Sequence, residues 1–308
     1  MRLRIKKTKK SSNMHNDKLT FAIFGNTYRS DKIYPIVQLM AKLREKDANI
    51  IIEDTFYKYL KNNYDVIISD IHTFSDSDFS ADYVISFGGD GTLLRSAAMV
   101  GSKEIPIIGI NTGHLGFLAA VSPEKVENAI DAIYNKEYQL EEHSVICMEV
   151  NGQPLSDYSC ALNDIAILKQ DRAAMISIKT FINGELLNIY MADGLIVSTP
   201  TGSTAYSLSN GGPIMAPQSG ILCITAVAPH SLNTRPVVIP DSSEIMLKIC
   251  SRSHNFLAAI DGRSKRMSDD VTITIRRAAH NISIIKSKES SYYGTLREKM
   301  MWGMDTRK

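Results

Sequence analysis

The sequence predicts two domains in one chain: an N-terminal α/β domain with a parallel sheet, followed by a mainly antiparallel β domain. Three observations carry this. Over residues 18–140 short buried runs alternate with helical patterns, the rhythm of βαβ units. From 141 to 287 the runs become mostly β-branched and are broken by turns such as Asn183-Gly184, the pattern of hairpins. Within the first of these, "YVISF" is followed by "GGDGTLL" at 88–94, where a strand must turn sharply into a helix. Gly88, Gly89 and Gly91 allow unusual backbone angles or close approach of another group. An aspartate in such a turn stands at the carboxyl end of a strand, the edge where open α/β sheets bind ligands.

The elements follow in order. Residues 1–17 are polar and basic and read as a disordered tail, with Met14 an alternative start. "LTFAIFG" is a strand, and "IYPIVQLMAKLREKD" carries apolar residues at helical spacing. "ANIIIED" is a strand, "FYKYLKNN" a helix and "DVIIS" a short strand. "FSDSDFS" is a polar loop before the glycine turn, and "IPIIGIN" is a buried strand after the helix. In the second domain "HSVICMEVNGQPL", "DIAILK", "MISIKTFINGELLNIYMADGLIVSTP", "SEIMLKIC" and "DVTITIRRAAHNISIIK" read as strands. Residues 288–308 predict an amphipathic helix that packs back on the first domain.

Composition bounds the function. The chain has 308 residues, 44% hydrophobic and 22% charged, as in ordinary globular proteins. The net charge of +2 owes much to the basic start, so no field remains that favours nucleic acid as partner. No apolar run is long enough to cross a membrane as a helix, and the basic start lacks the apolar segment of a secretory signal. Cys147, Cys160, Cys223 and Cys250 are widely spaced, without a C-x-x-C pair, and suggest neither a zinc site nor a disulfide framework. A reduced, cytoplasmic protein is expected.

No P-loop, Rossmann fingerprint, His-Glu-x-x-His or kinase-type H-R-D pattern is present. The glycine turn supplies its own acid instead. Backbone N–H groups at a helix start suit a phosphate, and Asp90 beside them suits Mg²⁺ or a hydroxyl. Arg95, just past Asp90 on the helix, reads either as a phosphate contact or as a solvated side chain. "DGLIVSTPTGSTAYSLSNGGPI", residues 193–214, is dense in proline, glycine and hydroxyl residues. That composition suits a loop along which a ligand lies against backbone and hydroxyl groups.

These two stretches, with "GINTGHLGFL" (109–118), Asn163-Asp164 and "PHSLNTRPVV" (229–238), resemble the NAD kinases from about Phe21 to Arg277. GGDGT alone is shared with lipid kinases and, more loosely, phosphofructokinases; the long hydroxyl motif is specific. The resemblance implies a two-domain NAD kinase-like fold. It also implies phosphoryl transfer from ATP, or polyphosphate, to the 2′-hydroxyl of the adenosine ribose of NAD, with Mg²⁺ as cofactor. Such a transition state is loose, so the protein mainly positions reactants and neutralises charge. By the same resemblance Asp90 is the catalytic acceptor of the hydroxyl proton and a possible metal ligand. Gly91 approaches the substrate, Asn163 and Asp164 bind adenosine, and Asp193 contacts the nucleotide. Thr204, Ala205, Tyr206, Ser207, Leu208 and Ser209 line the substrate site. A homo-oligomer, dimer or tetramer, is implied as well.

The chain departs from the family pattern at four places. Arg263 stands in Asp261-Gly262-Arg263 where the family has Gln, exchanging an amide for a guanidinium that only donates. It is retained as a nucleotide contact. Asp164 is Glu in most of the family, and a basic or His contact falls here on Ala173 or Ala174. Ala226-Val227-Ala228 precedes "PHSL", whose His230 reads as structural. Two rival readings are a diacylglycerol- or sphingosine-type lipid kinase and a non-catalytic NADP-binding sensor. The hydroxyl motif and the lack of an amphipathic membrane helix weigh against the first, and the intact Asp90 against the second.

Overall fold

The computed structural model describes residues 18–27, 33–63, 71–113, 116–155, 159–171 and 174–301. The basic tail and the expected strand over 65–69 lie outside them. The α/β part runs β1 (Thr20–Gly25), α1 (Ile33–Glu45), β2 (Asn49–Glu53), α2 (Asp54–Asn63), β3 (His72–Phe74), β4 (Tyr83–Gly88), α3 (Asp90–Val100), β5 (Ile107–Asn111) and α4 (Val126–Asn135). The β part follows as β6 (Tyr138–Val150), β7 (Gln153–Pro154), β8 (Cys160–Ala161), β9 (Asp164–Lys169), β10 (Ile176–Ile182), β11 (Glu185–Ala192) and β12 (Gly194–Ser198). A short α5 (Tyr206–Ser209) leads to β13 (Ile221–Val227), β14 (Val237–Pro240), β15 (Ile245–Cys250), β16 (Asn255–Ile260), β17 (Arg263–Ser268), β18 (Thr272–Ser287) and α6 (Tyr292–Met300).

In the α/β part the strand order is β5-β4-β1-β2-β3, all neighbours parallel. β1 alternates its side chains between two cores. Phe21 and Ile23 pack with Ile36, Leu39, Phe56 and Ile130 on one face, while Ala22 and Phe24 pack with Leu93 and Ala97 on the other. The chain winds outward from β1 through β2 and β3, then returns to place β4 on the opposite side of β1. The strand order therefore reverses between β1 and β4, and the crevice outside their carboxyl ends is where such sheets hold ligands. The glycine turn follows β4 at that crevice.

The β part is a sandwich. β6, β10, β15 and β18 face the six-stranded antiparallel sheet β14-β13-β12-β9-β16-β17 across a core that includes Ile146, Ile178, Leu195, Ile224, Phe256 and Ile275. The two parts share one sheet. β18 pairs with β15 through Ile245↔Ile275 and, further along, with β5 through Ile284↔Ile107, while β6 follows it along nearly its whole length. The Asn183-Gly184 hairpin forms as expected, both residues at positive φ.

Several features differ from the sequence reading. The helix α4 and strands β3, β13, β14, β16 and β17 were not anticipated. α4 buries Val126, Ile130 and Ile133 at helical spacing, so its pattern was present in the sequence. Cys147 and Cys160 form a disulfide, against the expected absence of one. The reason is register: β6 and β8 pair antiparallel with Cys147 directly opposite Cys160, their Cα atoms 4.0 Å apart. Cys223 is a buried free thiol and Cys250 an exposed one.

Candidate active site

Asp90 opens α3, with Gly89 as N-cap in extended conformation. None of the three turn glycines has positive φ. Gly88 is needed for close packing, since a β-carbon there would meet Thr92 Oγ1 at 2.3 Å. Gly89 and Gly91 have nothing within 4 Å of that position, which leaves open space over the turn.

The Asp90 carboxylate is gripped from the far side by the loop after β5. Oδ2 accepts the N–H of Phe117 at 2.8 Å, and Oδ1 accepts those of Leu118 at 3.1 Å and Ala119 at 2.9 Å. A carboxylate has about four lone-pair positions. Three are filled, and the remaining one lies on Oδ2. Gly116 in the same loop touches the carboxylate directly. The loop is held in turn by the Lys286 ammonium, which donates to the carbonyls of Phe117 and Leu118. Burial pulls Lys286 below the ordinary lysine range, while the charges of Glu141 and Asp90 push it back up.

Arg95 is not a free helix-face side chain. Its Nη2 donates to the Gly25 carbonyl at 2.7 Å and lies 3.8 Å from Glu53, which keeps it along the carboxyl edge of β1 and β2.

On the β side, Asn163-Asp164 forms the entry to β9. Asp261, at the tight turn between β16 and β17, gathers their backbone: Oδ2 accepts from Leu162 N, and Oδ1 from Asn163 N and Asp164 N. The hydroxyl segment lies against the same residues. Thr199 Oγ1 donates to the Leu162 carbonyl at 2.5 Å, and Gly202 packs so closely that a β-carbon would sit 2.1 Å from Asn163 O. Asn163 Oδ1 is buried and has no hydrogen-bond partner. Such an orphaned acceptor is costly unless something donates to it. The Asp164 carboxyl beside it is pushed up to about 7, chiefly by burial and then by the Asp261 charge.

Many hydroxyls of the segment serve the loop itself. Ser198 bonds Thr199 O, Ser203 bonds Pro200 O and receives Met215 N, and Thr204 reaches Thr201 O. Ser207 departs from its expected place in the substrate site. It is wholly buried and bonded to Thr225 Oγ1 at 3.0 Å, because α5 turns that side toward β13. Tyr206 and Ser209 are exposed, and Ala205 and Leu208 are half-buried. Asp193 is ion-paired with Lys169 at 2.6 Å. Arg263 donates to the carbonyls of Ile260 and Cys160, bracing the strand that leads into Asn163. Asp261 was noted only within Asp261-Gly262-Arg263, and Lys286 had no sequence signal as a site residue. Their partners lie 97 to 99 and 168 to 169 positions away, and only the fold brings them together.

The two halves meet on β6 and β18. His143 on β6 bonds Thr201 through Nδ1 at 2.8 Å, and its Nε2 lies 2.8 Å from Glu141, off the line of a good hydrogen bond. The close imidazole holds Glu141 below the usual carboxylate range. From α6, Tyr292 donates to Met215 O, and Lys299 lies over the Phe117 ring. The Asp90 loop is thus anchored on β18 through Lys286, and the hydroxyl segment on the paired strand β6 through His143. Among the described residues no group of three His, Cys, Asp or Glu side chains is arranged to hold a metal ion. With three N–H groups already on Asp90, the residues present do not fit a metal site built by protein alone.

An acid-bearing glycine turn at the switch point of a parallel sheet, joined to a β-sandwich that presents a hydroxyl segment, defines a two-domain kinase of the GGDGT type. The sequence matches the ATP-NAD kinase N-terminal domain over residues 34–138 and the ATP-NAD kinase C-terminal domain over 162–287. This chain belongs to the NAD kinase family. An NAD kinase of Bacteroides fragilis (strain ATCC 25285) is 50% identical over 289 residues, covering 94% of this chain and all of that protein. One from Cytophaga hutchinsonii is 39% identical over 291 residues with the same coverage. Two solved structures share the fold. Yeast NADH kinase complexed with NADH aligns with a TM-score of 0.85 at 21% identity, over 95% of this chain and 90% of that one. An NAD kinase from Archaeoglobus fulgidus in complex with ATP aligns with a TM-score of 0.69 at 23% identity, over 91% and 99%.

Proposed function

We propose that this chain transfers the γ-phosphoryl group of ATP to the 2′-hydroxyl of the adenosine ribose of NAD, with Asp90 as the proton acceptor. The observation that carries the assignment of Asp90 is its bonding: three N–H groups fix the carboxylate and leave one lone pair on Oδ2. The ribose oxygen forms a bond to the γ-phosphorus, the bridge to the β-phosphate breaks, ADP leaves, and the hydroxyl proton passes to Oδ2. The open space over Gly89 and Gly91 suits the phosphates. Asn163 Oδ1 suits an amino group of adenine, and Asp164 the ribose hydroxyls. Tyr206 offers an aromatic face at the rim, and Arg95 a charge along the same edge. Asp193 takes part only when it exchanges Lys169 for the nucleotide.

Mg²⁺ would be carried by the phosphates of the donor rather than by a cage of side chains, and would supply charge neutralisation there. Inorganic polyphosphate is the alternative donor. No helix of the described residues is long and apolar enough to cross a membrane. Cytoplasmic residence is part of the same reading, and there the Cys147–Cys160 disulfide would be open to reduction. Leu186, Ile189, Met191 and Leu232 are exposed, at 47%, 50%, 48% and 93%, and support a homo-oligomer through this apolar surface.

The test is NADP formation from NAD, ATP and Mg²⁺ by the parent and by Asp90→Asn. The variant should bind NAD normally while turnover falls by about 10²–10⁴-fold. Turnover within about threefold of the parent removes Asp90 from the role.

A further inference from the structure

Lys286 is 8% exposed and sits near the end of β18, separated from Asp90 by the backbone of Phe117–Ala119. Its Nζ donates to Phe117 O at 3.2 Å and to Leu118 O at 3.1 Å. The opposite ends of those same two peptide groups are the N–H of Leu118 and the N–H of Ala119. Both of these donate to Asp90 Oδ1. Two peptide dipoles are therefore bracketed, positive ammonium on their carbonyl side and negative carboxylate on their N–H side.

We infer that Lys286 is a positioning residue for phosphoryl transfer, holding two peptide groups on Asp90 Oδ1 so that the free lone pair of Oδ2 stays aimed at the substrate hydroxyl. The inference rests on the reading of Asp90 as proton acceptor. Hydrogen bonds in series polarise one another, so a charge at one end strengthens the contact at the other. Stability alone does not explain this lysine. A buried ammonium bonded to neutral carbonyls carries a desolvation cost, and exchanging a buried charge for an apolar residue of similar volume is often neutral or stabilising. Asp90 and Glu141 are the carboxylates whose charges act on it. Glu141, the larger of the two, acts through its charge, whereas Asp90 is reached through defined bonds across two peptide groups.

The experiment uses Lys286→Met in the full-length chain, alone and combined with Asp90→Asn, with NADP formation and melting temperature as readouts. Alone, the substitution should lower kcat by about 10–100-fold, the span for losing a partner that orients a functional group. KM for NAD and the melting temperature should stay close to the parent's. In the Asp90→Asn background the same substitution should change kcat by less than about threefold, because the acid it serves is gone. An unchanged kcat overturns the inference. So does an equal loss in both backgrounds, which would mark a structural role. A rise in KM with kcat preserved also overturns it. If Asp90→Asn itself turns over like the parent, the proton-acceptor reading fails, and that result is distinct from any of these. Lys286→Gln, uncharged but able to donate to one carbonyl, is read in the same way if the methionine variant does not fold.

Discussion

Gly116 lies so close to Asp90 that a β-carbon added to the glycine would sit 2.0 Å from Asp90 Oδ1. Nothing larger than glycine fits without moving the carboxylate. Gly116→Ala should therefore lower kcat by at least about tenfold, since a misplacement of 1 Å costs up to about 10²-fold. Gly91 is the contrast, being helical with nothing within 4 Å of its β-position. Gly91→Ala should raise stability by about 0.5–1 kcal/mol while weakening nucleotide binding through the lost space. Thermal melts and steady-state kinetics on both variants check this. An alanine at 91 that leaves both KM values untouched would place the phosphates elsewhere.

Asp164 links folding to pH. Its carboxyl titrates near 7 in the fold against 3.8 as the ordinary value, burial being the main cause. Folding therefore favours the protonated acid. That contribution is complete below the unfolded pKa and is lost as pH rises through about 7. Asp164→Asn keeps the shape and cannot ionise. Its stability relative to the parent should grow between about pH 5 and pH 8 by up to a few kcal/mol. Melting curves of the ligand-free proteins across that range measure it. Parallel curves would mean that Asp164 is ionised throughout.

Tyr206 and Ser207 are neighbours in sequence with opposite surroundings. Tyr206 is 40% exposed, whereas Ser207 is fully buried against Thr225. Tyr206→Ala should raise KM for NAD by about tenfold at most, the worth of one aromatic contact, with little change in stability. Ser207→Ala should leave KM alone and cost about 1–3 kcal/mol of stability by disturbing a buried hydroxyl pair. Denaturant titrations beside kinetics separate the two. A kinetic loss in Ser207→Ala at unchanged stability would return that hydroxyl to the substrate site.

The glycine turn was legible because the apolar period changes there from two to helical spacing, and an acid at that junction has few other uses. The hydroxyl segment was legible through composition. Which of its hydroxyls turn inward was not, because α5 is one turn long and its orientation is set by β13, a strand absent from the sequence reading. Asp261 was noticed only for the arginine two positions on. Its grip on Leu162, Asn163 and Asp164 depends on β16 lying beside β9, a pairing that no local pattern specifies. The disulfide was missed for the same cause, since cross-strand register is a property of the folded sheet. Arg95 was left between two readings, and its bond to Gly25 shows a third.

The sheet that runs unbroken from β11 to β3 governs how this chain can be cut. Residues of the second half complete the first: Val145, Ile282 and Ile284 fill one face of the α/β core, and Ile285 the other. A fragment ending near residue 140 would lose those side chains and present Ile107–Asn111 as a bare, largely apolar edge. Such an edge recruits other chains. Truncation at that point should yield insoluble material rather than a working nucleotide-binding module. Gene fusions or recombinants that exchange one half for a distant relative's must carry the matching β6 and β18 with them.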